Sequence, residues 1–171
     1  MVYPPVVIVD KDDNPTGLAM LKDARAQGLY YRVIAVAVLD ERGRILLQKR
    51  SLNMEIDPGT WDISAGGHVD EGKTYLSAAV AELKEELGIV GVVPLEFGKE
   101  FLGDCFLMLY TASVPAGVQL EPGADEVSDI KWFTPEELES LLGENPERCA
   151  EFLKEIHSRA PHMFSFGPAA A

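Results

Sequence analysis

Between Trp61 and Gly88 the chain passes from a short apolar strand through Ala65-Gly66-Gly67 and a polar loop into a helix carrying three glutamates on one side. Leu76, Ala79, Val80, Leu83 and Leu87 recur at helical spacing, so the pattern predicts a helix over Thr74 to Leu87 that Gly88 stops. At about 100° per residue, Glu82, Glu85 and Glu86 stand at i, i+3 and i+4 and share a face beside that apolar stripe. Within the helix no Lys or Arg lies three or four residues from any of them. Solvated helix faces usually interleave signs, because like charges at that spacing cost roughly 0.2–0.5 kcal/mol. An uncompensated triplet beside buried surface suits a hard divalent cation such as Mg²⁺, which takes oxygen ligands and is often shared with phosphates. A solvated acidic face is the competing reading.

The glycines favour the cation. Gly66-Gly67 are expected to form a turn with access to positive φ, and a backbone carbonyl there could approach the same ion. Strand, glycine turn, loop and acidic helix together make a place for substrate phosphates.

The rest of the chain supplies a frame for this segment. Val6 to Asp10 and Thr16 to Leu21 read as a hairpin, Lys22 to Gln27 as a short helix stopped by Gly28, and Arg32 to Leu39 with Ile45 to Lys49 as a second hairpin. Trp61 to Ser64 reads as a short strand, Leu95 to Val114 as two strands turning near Gly103-Asp104, and Val127 to Phe133 as another. Thr134-Pro135-Glu136-Glu137 has the N-cap, first-turn proline and capping-box glutamate of a helix start. A last helix is expected from Asn145-Pro146, burying Cys149, Phe152, Leu153 and Ile156. This order predicts an α/β (α+β) fold, a mixed sheet flanked by helices. One domain over 1–163 is expected, with a core at 32–142, an N-terminal hairpin extension at 1–30, a C-terminal helix at 146–159, and a tail at 164–171 frayed at Gly167-Pro168-Ala169-Ala170-Ala171.

Charge narrows the partners. The 171 residues hold 28 Asp and Glu against 15 Lys and Arg, a formal net charge of -13, which disfavours long nucleic acids and anionic membranes. No apolar run approaches the ~20 residues of a membrane span, and Met1-Val2-Tyr3-Pro4-Pro5 lacks the pattern of a signal peptide. Cys105 and Cys149 read as reduced buried thiols, and a cytoplasmic setting is expected.

The segment Gly67 to Ile89 resembles the Nudix box, G-x5-E-x7-R-E-apolar-x-E-E-x-G-apolar. Gly67, Glu82, Leu83, Glu85, Glu86, Gly88 and Ile89 match, whereas Lys73 replaces the first glutamate and Ala81 the arginine. Trp61 to Gly66, Ile130 to Phe133 and Glu137-Leu138 also look like the family, so the resemblance covers about Arg32 to Leu142. It implies a Nudix-type mixed sheet, and Mg²⁺- or Mn²⁺-dependent hydrolysis of a nucleoside diphosphate linked to another group. By position, Glu82 and Glu86 would be the principal ligands, Glu85 a ligand or an orienter of bound water, and the Gly66 carbonyl would complete the site. A further glutamate from an opposing loop is common in the family, and Asp125-Glu126 makes Glu126 the candidate. Arg50 could hold a substrate phosphate as a bidentate donor, against a solvated hairpin arginine as the alternative. His68 reads as a loop residue without a partner to make it a base. Lys73 is expected to pair with a nearby acid, such as Glu71 or one of the site glutamates.

Two other functions compete. The Trp61-Asp62-Ile63-Ser64-Ala65-Gly66-Gly67-His68-Val69 run and the N-terminal extension resemble the branch that includes isopentenyl diphosphate isomerase-like proteins, but the isomerase cysteine and Trp-Gly-Glu motif are missing. A catalytically weak or inactive binding module would account for Lys73 and Ala81, and the intact glutamate triplet argues against it. Tyr110 and Phe106 could stack on a base, although aromatics in an apolar strand are more often core. The expected partner is a small diphosphate-containing substrate, and a homodimer is allowed for.

Overall fold

The computed structural model describes residues 4–115 and 117–164. Its centre is β3 (Tyr30–Asp40), buried along nearly its whole length, as its run of β-branched and small apolar residues requires. Before it come β1 (Val6–Val9), β2 (Pro15–Ala19) and the helix α1 (Leu21–Gln27), which Gly28 ends with a left-handed φ of 65°. The β1–β2 hairpin joins the sheet through antiparallel pairing of β1 with β3. After it come β4 (Ile45–Arg50), β5 (Trp61–Asp62), β6 (Ala65–His68), α2 (Tyr75–Leu87), β7 (Leu95–Phe101), β8 (Cys105–Val114), β9 (Val127–Phe133), α3 (Pro135–Glu144) and α4 (Glu151–Arg159). The sheet is mixed: β3 runs parallel to β8 from Tyr31–Cys105 to Asp40–Val114, and the other strand pairs are antiparallel.

Period-two alternation along β3 divides the core between two faces. Ile34, Val36 and Val38 pack with Ala78, Ala79, Leu83 and Leu87 of α2. Val33, Ala35, Ala37 and Leu39 face the other way, in the cluster with Leu138 and Leu141 of α3 and Leu153 and Ile156 of α4. The chain thus forms helix, sheet and helix layers.

One local device places the site. β3 and β4 pair only beside their turn, at Val38–Leu46 and Leu39–Ile45. Beyond that point they diverge, β5 adding to β4 and β6 to β3. Ser64 sits at the fork, fully buried, accepting from the Val38 N–H at 2.8 Å and donating to the Leu46 carbonyl, so its hydroxyl bridges the separating strands.

Several expectations need correction. Gly66 and Gly67 are strand residues in register with Ala35 and Ile34, and neither belongs to the glycines with positive φ. His68 ends β6 rather than lying in a loop, with its ring 5.7 Å from that of Tyr31. Leu76 and Val80 are 42% and 40% exposed, so the buried side of α2 is Ala78, Ala79, Leu83, Glu86 and Leu87. Cys149 precedes α4, in a bridge with Trp61 after a 3-10 turn at Pro146–Arg148. Phe164 is buried in a 3-10 turn, Pro161–Phe164, so the packed part of the chain reaches one residue past the expected boundary. Met1 to Tyr3 and the Gly167 to Ala171 tail lie outside the described residues. Tyr110 is core, and Phe106 packs edgewise and tilted against Tyr30 and Phe101.

Candidate active site

The site forms where α2 crosses the open side of β6. Thr74 starts the helix by a reciprocal cap with Ser77, and Gly88 closes it at φ 70°, its N–H and that of Ile89 returning to the carbonyls of Lys84 and Leu83. These ends fix the rotation that aims Glu86 inward and Glu82 along β6. Glu86 is buried, and its Oε2 accepts from the Gly66 N–H at 2.9 Å. Burial and then the neighbouring Glu82 charge hold its carboxyl well above the ordinary range, against a hydrogen bond from Gln48 and the one from Gly66.

Glu82 lies over Gly67. A methyl group on Gly67 would stand 2.6 Å from Cδ of Glu82, so only glycine lets the carboxylate lie against the strand. Burial, then Glu85, pushes the Glu82 acid up to about 8, with Lys73 opposing and Glu126 adding to the rise. Glu85, next on the same face, is exposed. Because Gly66 donates to Glu86 and not to β3, its carbonyl, which in extended backbone points the same way as its N–H, also faces the site side of β6.

Glu126 arrives from the opposite side. The last carbonyls of α2 have no helical partner, and the segment after β8 satisfies them: Glu121 donates to the Leu87 carbonyl at 3.0 Å and Gly123 to that of Glu86 at 3.1 Å. A methyl on Gly123 would meet the Glu85 carbonyl at 2.5 Å, so this approach too needs glycine. Ser51 then donates to the Glu126 carbonyl at 2.7 Å. Glu126 is thereby held between the end of α2 and the β4–β5 loop, and its charge acts on both Glu82 and Glu86.

Arg50 is already engaged. Its Nε donates to the Ile56 carbonyl at 3.0 Å and its Nη1 to Asp62 Oδ2 at 3.2 Å, which staples the β4–β5 loop. Asp62 is buried, and desolvation pushes its acid up to about 6 despite the Ile63 N–H and Arg50. Lys73 pairs with Asp70 at 3.0 Å rather than with Glu71. His68 is held neutral, its pKa brought down to about 4 by burial and then by Arg25.

Among the described residues no three His, Cys, Asp or Glu side chains already form a cation cage. The donor set itself is all oxygen, with Glu86 buried and Glu82 half-buried, and neither is bonded to a basic side chain. That chemistry fits Mg²⁺ or Mn²⁺, provided Glu86 turns from the Gly66 N–H toward the ion. The grouping of Gly66, Gly67, Glu82, Glu85, Glu86 and Glu126 was readable from the sequence. Gln48, Gly123 and Asp70 were not singled out. Only Gln48 left a trace, as a polar residue ending the buried run Ile45-Leu46-Leu47.

The NUDIX domain profile matches residues 29–156. The chain belongs to the Nudix family. It is 34% identical over 151 residues to an uncharacterised Nudix hydrolase of Yersinia pestis, covering 86% of this chain and 78% of that one. It is 35% identical over 150 residues to the uncharacterised Nudix hydrolase YfcD of Escherichia coli K12, covering 86% and 79%. The fold is shared with DR0079 from Deinococcus radiodurans, at TM-score 0.77 and 22% identity over 91% of this chain and 98% of that one. Nudix hydrolases act on nucleoside diphosphate-linked substrates and generally use divalent cations, and this chain is a Nudix-type pyrophosphohydrolase. No helix among the described residues is long and apolar enough to cross a membrane.

Proposed function

We propose that this Nudix hydrolase cleaves the diphosphate linkage of a small nucleotide-type substrate with Mg²⁺ or Mn²⁺ held by Glu82, Glu85, Glu86 and the Gly66 carbonyl. One observation carries the reading: buried Glu86 and half-buried Glu82 converge on the Gly66–Gly67 backbone, and the charge of Glu126 acts on both. Buried carboxylates that disfavour ionisation gain most from a cation, which offsets burial and mutual repulsion together. When bound, such an ion supplies positive charge to the phosphoryl oxygens and makes its water more acidic.

The chain's own groups do the rest. Glu82 and Glu86 are held by the helix ends and the fork, so little side-chain freedom is lost on binding. Glu126, on its own backbone anchor, would take a proton from the attacking water. Arg50 would reach a substrate phosphate with the guanidinium N–H groups left over from Ile56 and Asp62, and it holds the loop that frames the substrate. The free, buried Cys105 and Cys149 suit a reducing, cytoplasmic setting, and a homodimer is compatible with this site.

A phosphate-release screen over nucleoside di- and triphosphates, nucleotide sugars and dinucleotides, with Mg²⁺ and with Mn²⁺, tests the reading. At least one compound is expected to be cleaved by wild type, with loss of about 10²-fold or more in Glu86→Gln. Metal-independent cleavage, or full activity in Glu86→Gln, would overturn the assignment.

A further inference from the structure

The fork between β3 and β4 leaves the site acids on separate arms. Glu82, Glu85 and Glu86 belong to α2, which packs on β3 and β6, whereas Glu126 precedes β9, which pairs with β4 from Val127–Arg50 onward. Ser64 fastens the two arms where they part. A second fastening runs through Gly123. Its N–H donates to the Glu86 carbonyl at 3.1 Å, and its carbonyl accepts from the Glu126 N–H at 3.2 Å and the Val127 N–H at 2.9 Å. One residue therefore bonds the main chain of an acid on each arm. Ser51 continues the line by donating to the Glu126 carbonyl at 2.7 Å. The contact at Gly123 is close: a Cβ there would stand 2.5 Å from the Glu85 carbonyl oxygen and 3.9 Å from Cα of Glu86. Gly123 is not among the glycines of positive φ, so its backbone conformation suits other residues and only this contact excludes them. The obstacle is helix main chain, which cannot swing aside as the end of a side chain can. Gly88 meets the same segment, since a Cβ on it would lie 2.8 Å from Cβ of Glu121. Carbonyls that α2 leaves without helical partners draw the segment in, and two absent methyl groups admit it.

We propose that Gly123 is a positioning residue: it sets the span across the fork between the metal-holding face of α2 and Glu126, so that both meet on one diphosphate. This role rests on the metal site and the Glu126 role proposed above. A side chain at position 123 would lift the turn over residues 123–126 from the helix by about 1 Å, the shortfall of that contact against ordinary van der Waals separation. The helix itself keeps its rotation, because Thr74 and Gly88 still cap it. Glu82, Glu85 and Glu86 therefore stay in place while Glu126 moves outward.

Broadening of backbone amide signals by bound Mn²⁺ reads this span in the substrate-free protein, because it falls steeply with distance from the ion. In wild type, Mn²⁺ should broaden the Gly66 and Gly67 amides together with that of Glu126. In Gly123→Ala the first two should stay broadened and the Glu126 amide should lose much of its broadening. Undiminished broadening at Glu126 in that variant overturns the proposal. Sharp Gly66 and Gly67 signals in wild type remove the site reading as well. Hydrogen exchange in wild type needs no variant to fold: the Gly123 and Glu126 amides should be protected together, and rapid exchange at Gly123 overturns the fastening. With the nucleotide that the phosphate-release screen selects, Gly123→Ala should lower kcat about tenfold or more with little change in KM. In a Glu126→Gln background the same change should cost less than about twofold. Equal losses in both backgrounds would show that Gly123 does not act through Glu126.

Discussion

At Gly67 a single missing methyl group decides whether Glu82 can lie against β6. Gly67→Ala is expected to force the carboxylate away, at little cost in stability because the end of a flexible side chain can yield, and to lower Mn²⁺ affinity at least about tenfold. Denaturant titration and calorimetry would read the two effects; an alanine variant with wild-type metal affinity would show that Glu82 does not need this approach. Glu82 itself links stability to pH. Its acid lies at about 8 against an ordinary 4.5, so the folded state holds the proton more tightly than the unfolded chain. The resulting stability is complete below about pH 4.5 and is lost as the pH rises toward 8. In chelator, Glu82→Gln should therefore be more stable than wild type by about 1–3 kcal/mol at pH 8, with little difference at pH 4. Saturating Mg²⁺ should reverse that order. Parallel pH profiles for the two proteins would remove the basis for the claim. The glutamates were legible in the sequence because helical spacing is local. The reason for Gly67 was not, since the atom it avoids lies fifteen positions along the chain and only the crossing of α2 over β6 brings them together.

The starts of α2 and α3 were legible for the same reason. Thr134 accepts from the Glu137 N–H while the Glu137 carboxylate accepts from Thr134, a reciprocal pattern written within four residues. Thr74 does likewise with Ser77, and Thr74→Ala should cost about 1 kcal/mol in a urea titration. The face that α2 buries was misread at Leu76 and Val80, because periodicity defines an apolar stripe but not the angle at which a neighbouring sheet meets it. Glu86 lies on the buried side for that reason. The staple of the β4–β5 loop was equally hidden, as it depends on a pairing across twelve residues. Arg50→Met leaves buried Asp62 without its cation, and since that acid already sits at about 6, protonation can relieve the loss. The variant is expected to lose about 2–4 kcal/mol at pH 8 and clearly less at pH 5. An equal loss at both pH values would place the staple's worth in the Ile56 contact instead.

For the molecule as a whole, a net charge of -13 means that compaction works against self-repulsion, which screening relieves. Thermal stability should rise with NaCl in metal-free protein. Millimolar Mg²⁺ should add a further increase that 0.15 M NaCl does not reproduce and that Glu86→Gln abolishes. The alternation of strands and helices, and the burial of the strand that became β3, followed from pattern alone. The fork at Ser64 did not, because no local signal marks where two paired strands part. A different consequence belongs to the parallel ladder of β3 and β8. It joins Tyr31 to Cys105 and Asp40 to Val114, so the segment from Gly66 to Gly88 lies inside the loop of chain that this ladder closes. Closing so long a loop is slow, and its cost falls before the pairing it permits can compensate. During synthesis, a nascent chain that has emerged only as far as Ile89 would contain the complete box and yet have no partner for one edge of β3. The site is thus completed only after β8 and the Glu126 loop have emerged, although Glu82, Glu85 and Glu86 are made before them.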